Sequence, residues 1–335
     1  MKKNQTIGIT GGTGYIGTSL SKFLSEHFDI KLLDVKPTEY ELPAGVSYQF
    51  CDIRNYESLE KALTNVDLVI HSAIIEIPKI NEDKKKGFEV NVIGSENVCR
   101  AVDKSHLTKG LILTGTWHTI GDVELKGLVN ETFGYRTDKV EERARFYALT
   151  KTAQASIVEL YNEMSEKFFG VLRMGTVLGE GMADETGAKI FISNGLSGKP
   201  ITPFEHSMFR PMLFVDIKDV CVAFERFATR ILEGKAVKSK DSMNTINLFY
   251  PEAFTVLELA QMIKEIIVEQ SNGKIQPEIA ALGTNKPVLY FKEDKKLIYV
   301  DVRKADEQLG MPYFKNPRES IERIIKSIIN QHTKT

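Results

Sequence analysis

Tyr147 and Lys151 stand four residues apart in Tyr147-Ala148-Leu149-Thr150-Lys151, a spacing that puts a phenol and an ammonium on one face of a helix. A free tyrosine, with a pKa of about 10, is a poor base near neutrality. A lysine one turn away stabilises the phenolate and lowers that pKa, so the pair can take a proton from a hydroxyl. Thr116, in Thr114-Gly115-Thr116-Trp117-His118, follows the apolar run Leu111-Ile112-Leu113 and offers a hydroxyl to the reacting oxygen. Thr114 competes for that role, and either threonine can equally be an ordinary turn residue. Taken alone, Tyr-x-x-x-Lys also fits a half-buried tyrosine beside a snorkelling lysine. A second motif decides for chemistry.

That motif is Thr10-Gly11-Gly12-Thr13-Gly14-Tyr15-Ile16-Gly17, between an apolar strand from Ile7 and a helix carrying Ile16, Leu20, Phe23 and Leu24 at helical spacing. Gly12, Gly14 and Gly17 fit GxGxxG; Gly11, Gly14 and Gly17 fit GxxGxxG. Such glycines allow a tight turn, a close approach to a pyrophosphate and close helix–strand packing, while the helix N-terminus supplies N–H donors. No Gly-Lys-Ser/Thr follows, which excludes a triphosphate loop. Asp34 ends the next apolar run, where a carboxylate accepts both adenosine ribose hydroxyls and repels a 2′-phosphate. NAD is therefore expected over NADP, although Lys36 can soften the repulsion and a solvated turn aspartate is the alternative. Asp52 and Ile53, after the third run, are expected near the adenine; Asp52 equally suits a helix cap.

Positioning these groups requires alternating strands and helices. Apolar runs near Ile30–Leu33, Val46–Phe50, Val66–Ile70, Leu111–Leu113 and Gly170–Leu172 alternate with helical patterns, including one from about Gly87 to Lys104. The fold class expected is α/β, a Rossmann-type doubly wound parallel sheet with ligands at the carboxyl ends of its strands. Beyond Arg173 a glycine- and proline-rich stretch loosens the pattern, and a helix at about 217–232 is expected to return to the sheet. Thr255 to Glu258 fits a capping box, Asn316-Pro317 with Glu319 a second helix start, and Asp83-Lys84-Lys85-Lys86 a solvated one.

The chain has 335 residues, 42% apolar and 27% charged, and a net charge of −1, so nothing in its charge would gather nucleic acid or an anionic membrane. Met1–Gln5 lacks the apolar stretch of a secretory signal, and no window is long and apolar enough to span a bilayer. Cys51, Cys99 and Cys221 are far apart and read as reduced thiols of a cytoplasmic protein. Neither they nor His27, His71, His106, His206 and His332 show metal-ligand spacing, so no metal is expected. The tail 331–335 reads as frayed polar chain.

These motifs resemble the extended short-chain dehydrogenase/reductases, in particular their NAD-dependent epimerase/dehydratase branch. Besides the glycine loop and Tyr-Ala-Leu-Thr-Lys, the likeness rests on Val69-Ile70-His71-Ser72-Ala73, Asn91-Val92-Ile93-Gly94, Arg173-Met174-Gly175-Thr176-Val177-Leu178-Gly179 and Phe214-Val215-Asp216-Ile217-Lys218-Asp219-Val220. The resemblance implies an NAD-binding domain of residues 1–175, rejoined by 214–248, and a smaller α/β substrate domain of 176–213 and 249–335. It implies cofactor contacts from Gly11, Gly14, Tyr15, Ile16, Gly17, Asp34, Asp52, Ile53, Ser72, Ala73, Asn91 and Lys151. It also implies homodimers paired through helices around 90–104 and 140–165.

Against the branch's nucleotide-sugar members, Thr176 replaces a phosphate-contacting asparagine, and Arg210 lies two residues before the place of an arginine, here Met212. Arg210 can fork onto a phosphate or carboxylate, or sit in a surface ion pair. Trp117-His118 replaces the Asp-Glu pair of the dehydratases, which sets dehydration aside. Trp117 suits packing or sugar stacking equally, and His118 is a candidate substrate contact. The long segment 124–145 is expected to form a lid or reshape the pocket. The leading expectation is a sugar epimerase with a small-molecule, nucleotide-linked substrate. The alternatives are an NAD-dependent dehydrogenase or ketoreductase of a sugar, uronate, hydroxysteroid-like or other secondary alcohol, and a non-catalytic NAD-binding regulator.

Overall fold

Apolar runs such as Leu68–His71, Gly110–Thr116 and Phe168–Met174 become strands buried along their whole length, as the middle of a parallel sheet requires, while the edge strand Val46–Phe50 stays partly exposed. The computed structural model describes residues 5–238 and 244–332. Residues 1–4, part of the expected return 214–248, and 333–335 of the expected tail lie outside the described residues; the last helix carries the backbone through His332.

The first half contains β1 (Thr6–Thr10), α1 (Tyr15–Leu24), β2 (Asp29–Asp34), β3 (Val46–Phe50), α2 (Tyr56–Ala62), β4 (Leu68–His71), α3 (Lys79–Glu82) and α4 (Lys84–Phe88). A π turn (Glu89–Ile93) leads into α5 (Gly94–Lys104), then β5 (Gly110–Thr116), β6 (Gly127–Val129) and α6 (Glu142–Met164). The second half contains β7 (Phe168–Met174), β8 (Thr176–Leu178), α7 (Gly187–Leu196), β9 (Pro211–Met212), β10 (Phe214–Asp216), α8 (Ile217–Leu232) and β11 (Thr245–Leu248). It ends with β12 (Phe254–Thr255), α9 (Val256–Gln270), β13 (Ile298–Val300), α10 (Arg303–Leu309) and α11 (Pro317–His332).

Seven strands form one sheet in the order β11-β7-β5-β4-β1-β2-β3, every neighbouring pair parallel. The order reverses between β1 and β4, the switch point at which such sheets bind ligands. Register sets Thr10 beside both Leu33 and His71, which brings the strand ends and their loops together. One face packs Ile9, Ile70, Ile112 and Leu172 against Leu20 of α1 and Phe224 of α8. The other packs Val69, Leu111, Leu113 and Val171 against Val98 of α5 and Val158 of α6. Burying each such side chain contributes about 1.5–3 kcal/mol.

A separate apolar cluster joins Ile192 of α7, Ile263 and Ile267 of α9, and Ile321 and Ile325 of α11. The capping box forms as expected: the Thr255 side chain accepts from the Glu258 N–H, and the Glu258 side chain accepts from the Thr255 N–H. Asn316 likewise accepts from the Arg318 N–H at the start of α11, and Asp83 from the Lys86 N–H at the start of α4.

The segment 124–145 is not a free lid. Its β6 pairs in parallel with β13 near the far end of the chain, and its later part bonds back through Arg136 N to Thr119 O at 2.9 Å and Asp122 N to Lys139 O at 2.8 Å. Among the described residues, no helix is long and apolar enough to cross a membrane, and no group of three His, Cys, Asp or Glu side chains is placed to hold a metal ion.

Candidate active site

The turn after β1 is built to meet an anion. Gly11 has a φ of 67°, and a Cβ there would lie 2.6 Å from the Ala73 backbone, so only glycine fits beside the loop after β4. A Cβ on Gly17 would lie 2.6 Å from the Gly11 carbonyl, which is how close α1 runs to the turn. Gly14 is the N-cap of α1, with no side chain to cap it, leaving the first-turn N–H groups for an incoming phosphate. Ser72 donates its N–H to Thr10 O at 3.0 Å, tying the β4 loop to the same turn. Asp34 lies alongside, one oxygen accepting from Thr13 N and the other from Lys36 N, each at 3.1 Å. These groups suit the pyrophosphate and adenosine ribose of a dinucleotide.

Other expected cofactor contacts are placed differently. The Tyr15 hydroxyl turns toward the second half of the chain, where it is buried against Gly179, and burial with the Asp216 carboxylate raises its pKa. Ile16 packs its side chain against the core beneath α1. Asp52 is not the cap of α2; Asn55 is, accepting from Ser58 N at 3.0 Å. Arg54 instead grips Asp52 with a two-pronged contact at 2.7 and 3.0 Å. Ile53 is buried beneath Gly94. Asn91, in the π turn, is fully buried and bonds Ile75 O, Ile75 N and Thr150 Oγ1 at 2.7–3.1 Å. Its carboxamide therefore clamps the β4 loop to α6, and the polar atoms that a cofactor would use are engaged.

At the end of β5 the chemistry-bearing residues converge. Lys151 of α6 is buried, and its Nζ donates to Thr114 O at 2.6 Å; burial lowers its pKa to about 7. Thr114 turns its hydroxyl to His71 O at 3.1 Å, which leaves Thr116 as the hydroxyl facing Tyr147. Lys151 is not among the groups that shift the Tyr147 phenol. Burial first, and then the Glu76 carboxylate, push the Tyr147 phenol up, and only the Thr116 hydroxyl pulls it down. Beneath this cluster His71 is buried between Thr10 Oγ1 at 2.7 Å and Ser95 Oγ at 2.8 Å, and Gln154 of α6 donates to the same Ser95. Burial and then Lys151 lower the His71 pKa to about 3, so a neutral imidazole links the glycine turn to α5 and α6. Sequence alone places His71 in the family-like motif Val69–Ala73 and without metal-ligand spacing, but assigns it no linking role. Its place at the end of a strand beside the glycine turn was the available signal.

The substrate candidates divide. His118 joins the cluster: its Nδ1 lies 3.1 Å from Thr116 Oγ1, and its ring meets Tyr147 edge-on. Trp117 does not. It is 1% exposed among Ile120, Leu125, Leu213 and Phe249, so it packs a core and is no stacking platform. Its indole N–H donates to Thr176 Oγ1 at 3.1 Å, which gives that hydroxyl an internal partner in place of a phosphate. Arg210 is neither a surface ion pair nor a free anion fork. It is 7% exposed, 3.2 Å from Asp122 Oδ2 and 3.7 Å from Glu141 Oε2, so two buried carboxylates already answer its charge. Tyr290, from the distant 283–293 loop, is buried against the same cluster, a neighbour that no local pattern indicated.

A glycine turn at the switch point, with a buried lysine and a tyrosine at the adjoining strand end, defines a dinucleotide-dependent α/β enzyme. Residues 7–241 match the model of the NAD dependent epimerase/dehydratase family, and the chain belongs to that family, whose cofactor is NAD. Among curated relatives, short-chain dehydrogenase/reductase family 42E member 1 of Danio rerio is 32% identical over 176 residues, covering 51% of this chain and 44% of that protein. A UDP-glucose 4-epimerase of Rickettsia typhi is 28% identical over 334 residues, covering 94% of this chain and 84% of the relative. The chain spans less than two thirds of the length of several curated relatives, the zebrafish protein among them. Among solved structures, the UDP-glucuronic acid 4-epimerase of Bacillus cereus, in complex with UDP-glucuronic acid and NAD, shares the fold with a TM-score of 0.74. It is 21% identical, over 97% of this chain and 100% of that one.

Proposed function

We propose that this chain is an NAD-dependent sugar epimerase that transiently oxidises one secondary hydroxyl of its substrate. The observation that carries the reading is the convergence of Thr116, Tyr147 and Lys151 at the end of β5, alongside the uncapped glycine turn. The turn around Gly11–Ile16 would hold the pyrophosphate, Asp34 the adenosine ribose and Lys151 the nicotinamide ribose. When bound, NAD supplies a hydride acceptor and a positive ring. Tyr147 takes the hydroxyl proton while Thr116 steadies the oxygen on which charge develops. Because burial and Glu76 favour the protonated phenol, the base form of Tyr147 would depend on the positive nicotinamide ring and Lys151, and the proton taken would return to the keto oxygen after the sugar has turned over.

Mixing the purified protein with a panel of sugars while following nicotinamide absorbance tests this. Isomerised product without net NADH supports epimerisation; sustained NADH accumulation contradicts it. A second reading, a net dehydrogenase or ketoreductase, is favoured by Arg210 and Thr176, whose internal partners leave neither to meet a diphosphate. Support for a nucleotide-linked sugar thus comes from the relatives and not from those two residues. A non-catalytic regulator is disfavoured by the retained Tyr147 and Lys151, and inertness toward the whole panel would revive it.

Asp34→Ala should weaken NAD binding about 10- to 100-fold, through loss of a charged acceptor, and narrow the preference for NAD over NADP. Titration of both cofactors checks this, and an unchanged preference refutes the role. We also assign α5 and α6 as the homodimer face: Leu149, Leu160 and Met164 form an exposed stripe on α6, with Phe88 and Ile93 exposed nearby along the chain. Leu160→Glu should shift sedimentation toward monomer, and a dimer that persists refutes the assignment. Three buried, unpaired thiols fit a reducing compartment such as the cytoplasm.

A further inference from the structure

Arg210 is spent on buried carboxylates, yet a second guanidinium, on the catalytic helix itself, is not. Arg143 stands four residues before Tyr147, as Lys151 stands four after it, so the three side chains share one stripe of α6. Four residues of helix advance about 6 Å, which sets Arg143 one turn beyond the phenol. Burial first, and then the Arg210 and Arg143 guanidiniums, lower the pKa of the His118 ring to about 3. That ring meets Tyr147 edge-on, so Arg143 stands close to the reacting end of the cleft.

The inner edge of the Arg143 guanidinium is already fixed. Its Nε donates to Glu141 Oε2 at 2.9 Å, and Arg210 Nη1 lies 3.7 Å from the same oxygen. Glu141 is held in turn: its N–H donates to Asp122 Oδ1 at 3.2 Å, and its other oxygen lies 3.7 Å from His206 Nε2. In an ordinary surface ion pair both partners stand in water. Here the Glu141 side chain is 11% exposed and that of Arg143 49%, so the carboxylate is a buried mount for an outward guanidinium. Among the described residues no acceptor meets Arg143 Nη1 or Nη2, which leaves four N–H groups for solvent or a ligand.

Building on the reading of Tyr147 as the proton-exchanging group, we propose that Arg143 is a specificity residue whose terminal nitrogens fork onto a carboxylate of the substrate. The substrate class is then a hydroxy acid, such as a sugar acid, and not a neutral alcohol. One helical turn between phenol and guanidinium suits a carboxylate one or two carbons from the reacting hydroxyl. Charge selects the kind of anion. Asp122 and Glu141 balance Arg210 and Arg143, so no surplus cation remains to neutralise a doubly charged phosphate. A carboxylate is planar and singly charged, and it matches two parallel N–H groups. The Glu76 carboxylate, which together with burial raises the Tyr147 phenol, repels such a group from the phenol itself and leaves Arg143 as its place.

The test uses the NAD-loaded protein and two matched pairs, glucuronate with glucose and UDP-glucuronic acid with UDP-glucose. Affinity and turnover are read separately. In wild type the acid of either pair should bind about tenfold more tightly than its neutral partner, as one charge-assisted fork warrants. Arg143→Gln loses the fork and should bring acid and neutral partner level within about twofold. Arg143→Lys keeps the charge without the fork and should recover about threefold at most. Unchanged NAD affinity certifies that each variant is folded. Acids that bind no tighter than their neutral partners, or an acid preference that survives Arg143→Gln, overturn the proposal and leave the epimerase reading standing. Glucose 6-phosphate gaining more from Arg143 than glucuronate does overturns the choice of a carboxylate. Acids that bind through Arg143 while no sugar is ever isomerised overturn the parent reading and leave the subsite in place.

Discussion

Tyr147→Phe should lower turnover about a thousandfold while leaving NAD affinity within about twofold of wild type. The substitution deletes one oxygen and little else. The ring keeps its edge contact with His118, and Lys151 keeps its bond to Thr114 O, so neither the cleft nor the lysine has cause to move. What disappears is the group that exchanges a proton with the substrate hydroxyl and the acceptor toward which Thr116 points. Steady-state kinetics with a substrate found by the panel, beside a cofactor titration, separates the two effects. A fully active variant removes the tyrosine from the reaction. A variant that also loses NAD points to a structural role for the phenol.

Arg210→Met should destabilise the fold by about 3–5 kcal/mol, an effect far larger than any change in substrate binding. The guanidinium lies between Asp122 and Glu141, and all three side chains are buried. Removing it leaves Asp122 without its cation, while Glu141 keeps the half-exposed Arg143 at 2.9 Å and the buried His206 at 3.7 Å. An uncompensated buried carboxylate is costly because the protein interior replaces neither its water nor its counter-charge. Denaturant unfolding of wild type and variant measures the loss. The opposite pattern, a raised KM at unchanged stability, would mean that Arg210 serves the substrate after all.

Arg210 divides what neighbouring residues determine from what distant segments determine. Local patterns carried much of the fold. A strand before Gly11 and a helix after Gly14 could be read because turn chemistry and helical spacing act within a few residues, and the same holds for the capping box at Thr255 and Glu258. Tyr147 and Lys151 were legible for the same reason, being one helical turn apart.

The rest depends on contacts between distant segments. Arg210 is answered by Asp122, 88 residues earlier, and flanked by Tyr290 from a later loop. Trp117 is buried because Leu213 and Phe249 close over it, so its stacking role could not be judged from Thr114–His118 alone. The phenol pKa rises first because Tyr147 is buried and then because of the Glu76 carboxylate, in a loop that Asn91 pins at Ile75. Segment 124–145 has the length of a lid, yet β13, from the far end of the chain, stitches it down.

A crystal structure of the protein with NAD, determined alongside one with NAD and a sugar substrate analogue, bears most directly on all of this. The expected result is a pyrophosphate seated on the first-turn amides after Gly14, with the Tyr147 oxygen and the reacting carbon each within about 3.5 Å of their partners. Electron density placing the cofactor elsewhere, or a phenol turned away from the nicotinamide, would contradict the assignment of Tyr147 to proton transfer.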